Sequence, residues 1–190
     1  MLWHKTIGAG GQGGEVSLDL SFYECRNGST IGTINVYVVN TSGVIQGSSV
    51  YTADDDLGTP TWFLRTADSP VVTGSFRIAW HYVSGGTFRG DYAIDTVSIQ
   101  GVGYSFSNLT GWVTSNVDTA SSETALSSAS NLLLTTSNDL GRWNANTGST
   151  PSSNTGPDGG QDGGAYAYTE TSSPNYPNVN MWLFSPVVTP

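Results

Sequence analysis

The chain predicts an all-β fold, an antiparallel jelly-roll-like sandwich, and three observations lead there. Charged residues make up only 11% of the chain and lysine occurs once, at Lys5, whereas helix surfaces are normally covered by Lys, Glu and Arg, which lose little entropy in a helix. Ser, Thr, Gly, Asn and Tyr are plentiful instead, a composition that suits short strands and polar turns. Several short runs also alternate apolar and polar residues with period two, which marks half-buried strands. At 190 residues such a domain buries roughly two-thirds of its unfolded surface.

The elements follow in order. Residues 1–14 read as a flexible arm, because Gly8 to Gly14 is too glycine-rich for a core element. "SLDLSFY" sets Leu18, Leu20 and Phe22 on one face and Asp19 and Ser21 on the other. "TINVYVV" does the same with Ile34, Val36 and Val38. "FRIAWHY" points Phe76, Ile78, Trp80 and Tyr82 one way and Arg77 and His81 the other. "YAIDTVSI", "AYAYTE" and "MWLF" complete the set. "RNGS", "NTSG", "DDDLG" and "VSGG" supply turns between runs, and no proline interrupts a run, so each can sit inside a sheet. Between residues 118 and 138 two readings stay open: a short helix opened by Ser122 as N-cap, or two strands with polar faces. Residues 146–164, "NTGSTPSSNTGPDGGQDGG", form a long irregular loop, of the kind that is functional or pinned.

Charge narrows the function. The net charge is −9 with six cations, too few for the basic footprint that nucleic acid or an anionic membrane needs. No apolar stretch is long enough for a membrane span, and "MLWHKTIGAGGQGG" lacks the apolar core of a secretory signal. Cys25 stands alone, so no internal disulfide forms. These features predict synthesis in the cytoplasm.

A family resemblance rests on motifs in order. Trp143, then Thr155-Gly156-Pro157-Asp158, then Gly164-Ala165-Tyr166-Ala167-Tyr168, then Leu183-Phe184-Ser185-Pro186 look like the first half of a MAM domain, the meprin-type adhesion module. "SFSNLTGW" resembles that family's opening strand. Residues Leu18 to Ile99 look like its second half and close on its signature "GDYAIDTVSI". The resemblance implies one sandwich over 15–190, with 15–102 corresponding to the family's second half and 103–190 to its first. This order is reversed, which circular permutation explains; strand exchange between subunits and a cut across a tandem array are the alternatives. Family members usually carry disulfides and this chain has none. Gly90 and Asp91 belong to the closing signature. The tripeptide Arg89-Gly90-Asp91, which animal adhesion receptors read, is therefore expected to run into a strand and not to protrude.

Chemistry-bearing residues are sparse. The two histidines are His4, in the arm, and His81, expected at the surface. No nucleophile elbow occurs, and Glu15, Glu24, Glu123 and Glu170 sit in no paired motif. One Cys and two distant His do not make a zinc set. The chain is thus expected not to be an enzyme. Calcium, which takes hard oxygen ligands, is the one cofactor to consider, at Asp158 and Asp162 in the long loop or at Asp54, Asp55 and Asp56 in a turn; the competing reading of both is a solvated acidic loop. Asp95 reads as an inward carboxylate that ties loop N–H groups. Trp62, Trp112 and Tyr176 are candidate ligand aromatics, against the alternative that such rings plug the sandwich ends.

Two function classes survive. The first is a non-catalytic structural protein that assembles on a particle surface, in particular a phage or virus capsid decoration or fibre protein, self-associating or binding capsid proteins through Leu2, Trp3 and Ile7 of the arm. The second is an extracellular module that binds a cell-surface glycan or receptor.

Overall fold

The computed structural model describes residues 14–116, 121–127, 132–136 and 141–190. In chain order the elements are β1 (Glu15–Ser17), β2 (Leu20–Arg26), β3 (Thr33–Asn40), β4 (Tyr51–Ala53), β5 (Phe63–Thr66), β6 (Val71–Thr73), β7 (Phe76–Val83), β8 (Tyr92–Ile99), β9 (Val102–Tyr104), β10 (Val113–Ser115), α1 (Ser122–Ser127), β11 (Leu132–Leu133), β12 (Trp143–Asn146), β13 (Tyr166–Thr169) and β14 (Asn180–Phe184). They build two six-stranded antiparallel sheets packed as a sandwich. The first runs β11-β10-β14-β7-β3-β4. The second runs β12-β13-β8-β2-β5, with β9 paired to β8. The all-β expectation therefore holds.

Alternation explains the core. Ile34, Val36 and Val38 of β3, Phe76, Ile78, Trp80 and Tyr82 of β7, and Leu20 and Phe22 of β2 are all buried between the sheets. Their rings interlock: Phe22 meets Trp80 edge-on at 5.9 Å, and Tyr82 stacks on Tyr92 at 5.6 Å. A fully buried aromatic or aliphatic side chain of this kind contributes about 1.5–3 kcal/mol.

Three local expectations need correction. "SLDLSFY" is not one strand. It breaks at Leu18 and Asp19, whose backbone N–H groups go to Pro70 and to the Gln100 side chain, so that β1 pairs with β6 and β2 starts afresh. Between residues 118 and 138 the described residues hold a helical turn, α1, and a short strand, β11, and the hydroxyl that accepts from Thr124 N–H is that of Ser121. Ser122 instead donates its hydroxyl to the Gly43 carbonyl. His81 is buried, 7% exposed, and not a surface residue. Its ring lies flat on Trp182 at 3.9 Å on the outer face of the first sheet, which α1 helps to cover through Ala125 and Leu126.

The two sequence halves meet at two seams. β14 pairs with β7 in one sheet and β13 pairs with β8 in the other. The first and last described strand contacts converge as well. Glu15 of β1 pairs with Thr73, and Val188 bridges to Phe76. Only the turn at Gly74 and Ser75 separates these two anchor points, so Glu15 and Val188 lie at one pole. The opposite pole holds the β2–β3 and β7–β8 connections.

Candidate functional site at the distal pole

The long loop lies across the outer face of the second sheet, and hydrogen bonds along its length hold it there. Asn27 exchanges hydrogen bonds with Gly156, its carbonyl accepting at 2.7 Å and its side-chain amide donating at 3.0 Å. Asp91 N–H donates to the Thr155 hydroxyl at 2.9 Å. The Trp62 indole N–H donates to the Gly159 carbonyl, Tyr166 donates its hydroxyl to the Gly148 carbonyl, and Gln161 N–H donates to Asp95 Oδ2 at 2.8 Å. Gly156 is required where it stands: its φ is +64°, and a Cβ there would meet the Thr150 side chain at 2.6 Å. Beneath the loop Cys25, Ala93, Tyr166 and Tyr168 form a small buried cluster. Burial, with the Glu24 charge adding to it, pushes the Cys25 thiol up to about 12, so it is an inert packing residue.

Asp95 takes its place through a bulge. β2 and β8 slip register between Ser21 and Tyr23, and Thr96 adopts φ +46°. The extra residue reverses the alternation of β8. Tyr92 and Ile94 face the main core before it, Val97 and Ile99 after it, and Asp95 is left on the loop side. Its carboxylate accepts from Thr96 N–H and Gln161 N–H. Desolvation raises its pKa, with the two N–H bonds opposing and the Asp162 charge adding.

Three further buried carboxylates flank this pole. Glu24 is fully buried and fully engaged. Oε1 accepts from Arg26 Nε at 2.9 Å, Arg65 Nε at 2.6 Å and the Tyr51 hydroxyl at 2.7 Å, and Oε2 accepts from the Tyr92 hydroxyl at 2.9 Å. Asp91 is equally buried but poorly compensated. Oδ1 accepts from Thr171 N–H at 3.0 Å and from its hydroxyl at 2.9 Å, while Oδ2 has no partner. Desolvation, then the nearby Glu170 charge, push its carboxyl up to about 7 against the hydrogen bonds from Thr171. Glu170, 1% exposed, accepts from Ser172 N–H at Oε1 and likewise leaves Oε2 bare. A polar cleft of about 530 Å³ opens beside them, with Asn27, Thr150, Ser152, Thr155 and Asp158 among its walls.

The residues singled out by sequence are distributed as follows. Asp158 and Asp162 are exposed, and Asp162 Oδ1 accepts from Gly164 N–H within its own turn. Asp54 is exposed, Asp55 pairs with Arg26, which lowers its pKa, and Asp56 Oδ1 accepts from Gly28 and Gly58 N–H. Among the described residues no three His, Cys, Asp or Glu side chains gather as a metal centre. Trp112 is no ligand platform: it is 1% exposed and packs on Phe106 at 4.6 Å, because its ring closes the sandwich interior. Trp62 is half-buried against Tyr166, and Tyr176 is half-buried. Leu2, Trp3 and Ile7 lie outside the described residues. Arg89 is exposed, but Asp91 is buried, so the Arg-Gly-Asp carboxylate is withdrawn from any receptor. Asp91, Glu24 and Glu170 were missed as sites because they lie far apart in sequence, and only sheet register brings each to its partners. No helix among the described residues is long and apolar enough to cross a membrane.

No model of a known protein family matches the chain, and no solved structure matches it.

Proposed function

We propose that the chain is a non-catalytic structural module that assembles on a particle surface, as a capsid decoration or fibre protein does. The observation that carries the reading is the polarity of the sandwich. Near the described chain's two ends, Glu15 and Val188 lie beside the Gly74–Ser75 turn, while the long loop runs over the outer face of the second sheet and brings its Thr155–Gly156 stretch to the opposite pole, where Asp91 and Asn27 hold it. A module attached through its ends presents the Thr155–Gly156 stretch of that loop outward. The arginines support it too. Arg26 and Arg65 clamp Glu24, and Arg77 ties the Gly111 and Ser185 carbonyls together. Arg26, Arg65 and Arg77 thus spend their charge on cross-linking the fold, and Arg89 is the exposed arginine among the described residues.

The MAM-like resemblance belongs to the same proposal, as a permuted sandwich. Its support is the adjacency of the chain ends, which permutation requires, and the interleaving of both halves in both sheets. Ligand binding at the distal pole is a second reading, favoured by the hydroxyl- and amide-lined cleft.

Deleting residues 1–14 tests the first reading. Light scattering of the truncated protein should show weakened self-association or particle binding with an unchanged melting transition. Loss of that transition, or unchanged assembly, rejects the arm as the attachment element. Glycan-array binding by the isolated monomer, lost on substitution in the cleft, would select the second reading.

A further inference from the structure

Resting on the proposal that the arm assembles the module, we infer that the open edge of β6, with the groove beside it, receives a strand from a second copy of this chain, and that residues 2–7 are that strand. β6 pairs with β1 and with no other strand among the described residues. Leu18 N–H donates to the Pro70 carbonyl, and hydrogen-bonded pairs alternate along an antiparallel ladder. Val72 therefore bonds to Val16, while Val71 and Thr73 turn their N–H and C=O groups away from β1. On the far side of the ladder the Ser17 carbonyl, outward by the same rule, is taken by the Gln100 side chain.

An open strand edge is a template for another chain unless charge, proline, a bulge or a cover blunts it. Three other edges have such protection: β5 carries Arg65, three aspartates follow β4, and Ala145 of β12 donates to the Thr135 carbonyl. From Val71 to Phe76 on either side of Arg-free β6 there is no charge, and Val71 is 61% exposed. A groove runs along this edge, between residues 68–75 and residues 46–50. Its two hollows, of about 70 and 360 Å³, share Gln46 as a wall. Val38, Val72 and Phe76 give the smaller one an apolar floor. The larger one is bordered by Asp68, which is exposed and has no ion pair among the described residues.

The occupant is marked by composition and by where the arm joins the fold. Glu15 lies opposite Thr73, so the arm joins beside β6 itself. "LWHKTI", Leu2 to Ile7, holds no Gly or Pro, and it sets apolar Leu2, Trp3 and Ile7 beside Lys5, the one lysine. Six extended residues span about 20 Å, matching the six residues of the edge from Asp68 to Thr73. The apolar side chains suit the groove floor, and Lys5 complements Asp68. A chain's own arm would lie antiparallel to β6 only by doubling Gly8–Gly14 back across the ladder. That orders five glycines, the residues that lose most freedom on fixing, whereas the arm of a second copy enters directly. Arm and groove share one pole, so two copies exchanging arms close on a two-fold axis.

The test is sedimentation of the full-length protein and two variants. The parent should form a dimer, twice the 20.0 kDa chain. Leu2→Asp/Ile7→Asp spoils the arm and keeps the groove. Thr73→Pro removes an N–H that faces the groove and keeps the arm. Each variant alone should raise the dimer Kd roughly tenfold or more. Mixed together they should recover a heterodimer, because a sound arm then meets a sound groove. A parent that stays monomeric would overturn the inference without touching attachment to a particle. Dimers lost in the arm variant but kept in Thr73→Pro would overturn the groove and leave the arm as the assembly element. Dimers kept in both variants would overturn both, and failure of the mixture to pair would overturn the contact between arm and groove. If Thr73→Pro loses its melting transition, Val71→Lys decides in its place, since it sets a guarding charge at an exposed position of the same edge.

Discussion

Individual side chains in this protein are assigned by what burial demands of them. Glu24 is the plainest case, a fully buried carboxylate with four donors. Its replacement by Leu strands Arg26 and the two phenols. Breaking a buried ion pair from one side costs about 3–5 kcal/mol, so urea denaturation of Glu24→Leu should show a loss of that size. His81 gives a pH signature. Burial beside Trp182 lowers its pKa below 6.5, with the hydrogen bond to Asn180 Oδ1 acting the other way. The fold therefore favours the neutral ring. Its contribution is present above about pH 6.5 and is lost as pH falls, because the unfolded chain then binds the proton more readily. His81→Phe keeps the stack on Trp182 and should flatten the stability profile between pH 7 and pH 5. Asp91 acts in the opposite sense: its folded pKa of about 7 lies above the ordinary 3.8, so its contribution is present below about pH 4 and is lost as pH rises through 7. The difference between parent and variant isolates His81.

The element that matters most is the pinned loop. Asp95→Ala removes the acceptor for Gln161 N–H and Thr96 N–H and should cost about 1–3 kcal/mol. It should also raise proteolytic cutting within residues 157–164 well before global unfolding. Equal cutting of parent and variant would show that Trp62, Asn27 and Thr155 hold the loop without it. This scale also separates what sequence reveals from what it hides. β3 and β7 were legible because a strict period of two writes the buried face into the residues themselves. Asp95 was legible as a tying carboxylate, since no charge sits in such a run without donors. The face it uses was not, because the bulge at Thr96 is set by pairing with β2, a partner more than 70 residues away. His81 misled for a related reason: alternation names the face opposite the core, and nothing local says that α1 and Trp182 cover it. The Asp91–Glu170 pair was hidden entirely, as it exists only once β13 lies on β8.

Across the whole molecule the halves depend on each other. Residues 15–102 and 103–190 each supply part of both sheets, joined along β7–β14 and β8–β13. Neither half closes a core, because Trp80 and Tyr92 come from one and Trp112, Trp143 and Leu183 from the other. Fragments 1–102 and 103–190 should each lack a cooperative melt and regain a β-type circular dichroism spectrum on mixing. Independent folding of either fragment would contradict this.

The placement of the two ends has a mechanical consequence. Tension applied between Glu15 and Val188 does not reach the central strands at once. It falls first on the three-residue β1–β6 ladder and on the single Val188–Phe76 bridge. These should peel away at low force, lengthening the chain by a short slack while both six-stranded sheets stay shut. Only then does the load reach β2 and β14. An anchored copy would therefore yield at its base under shear and keep its outer face intact.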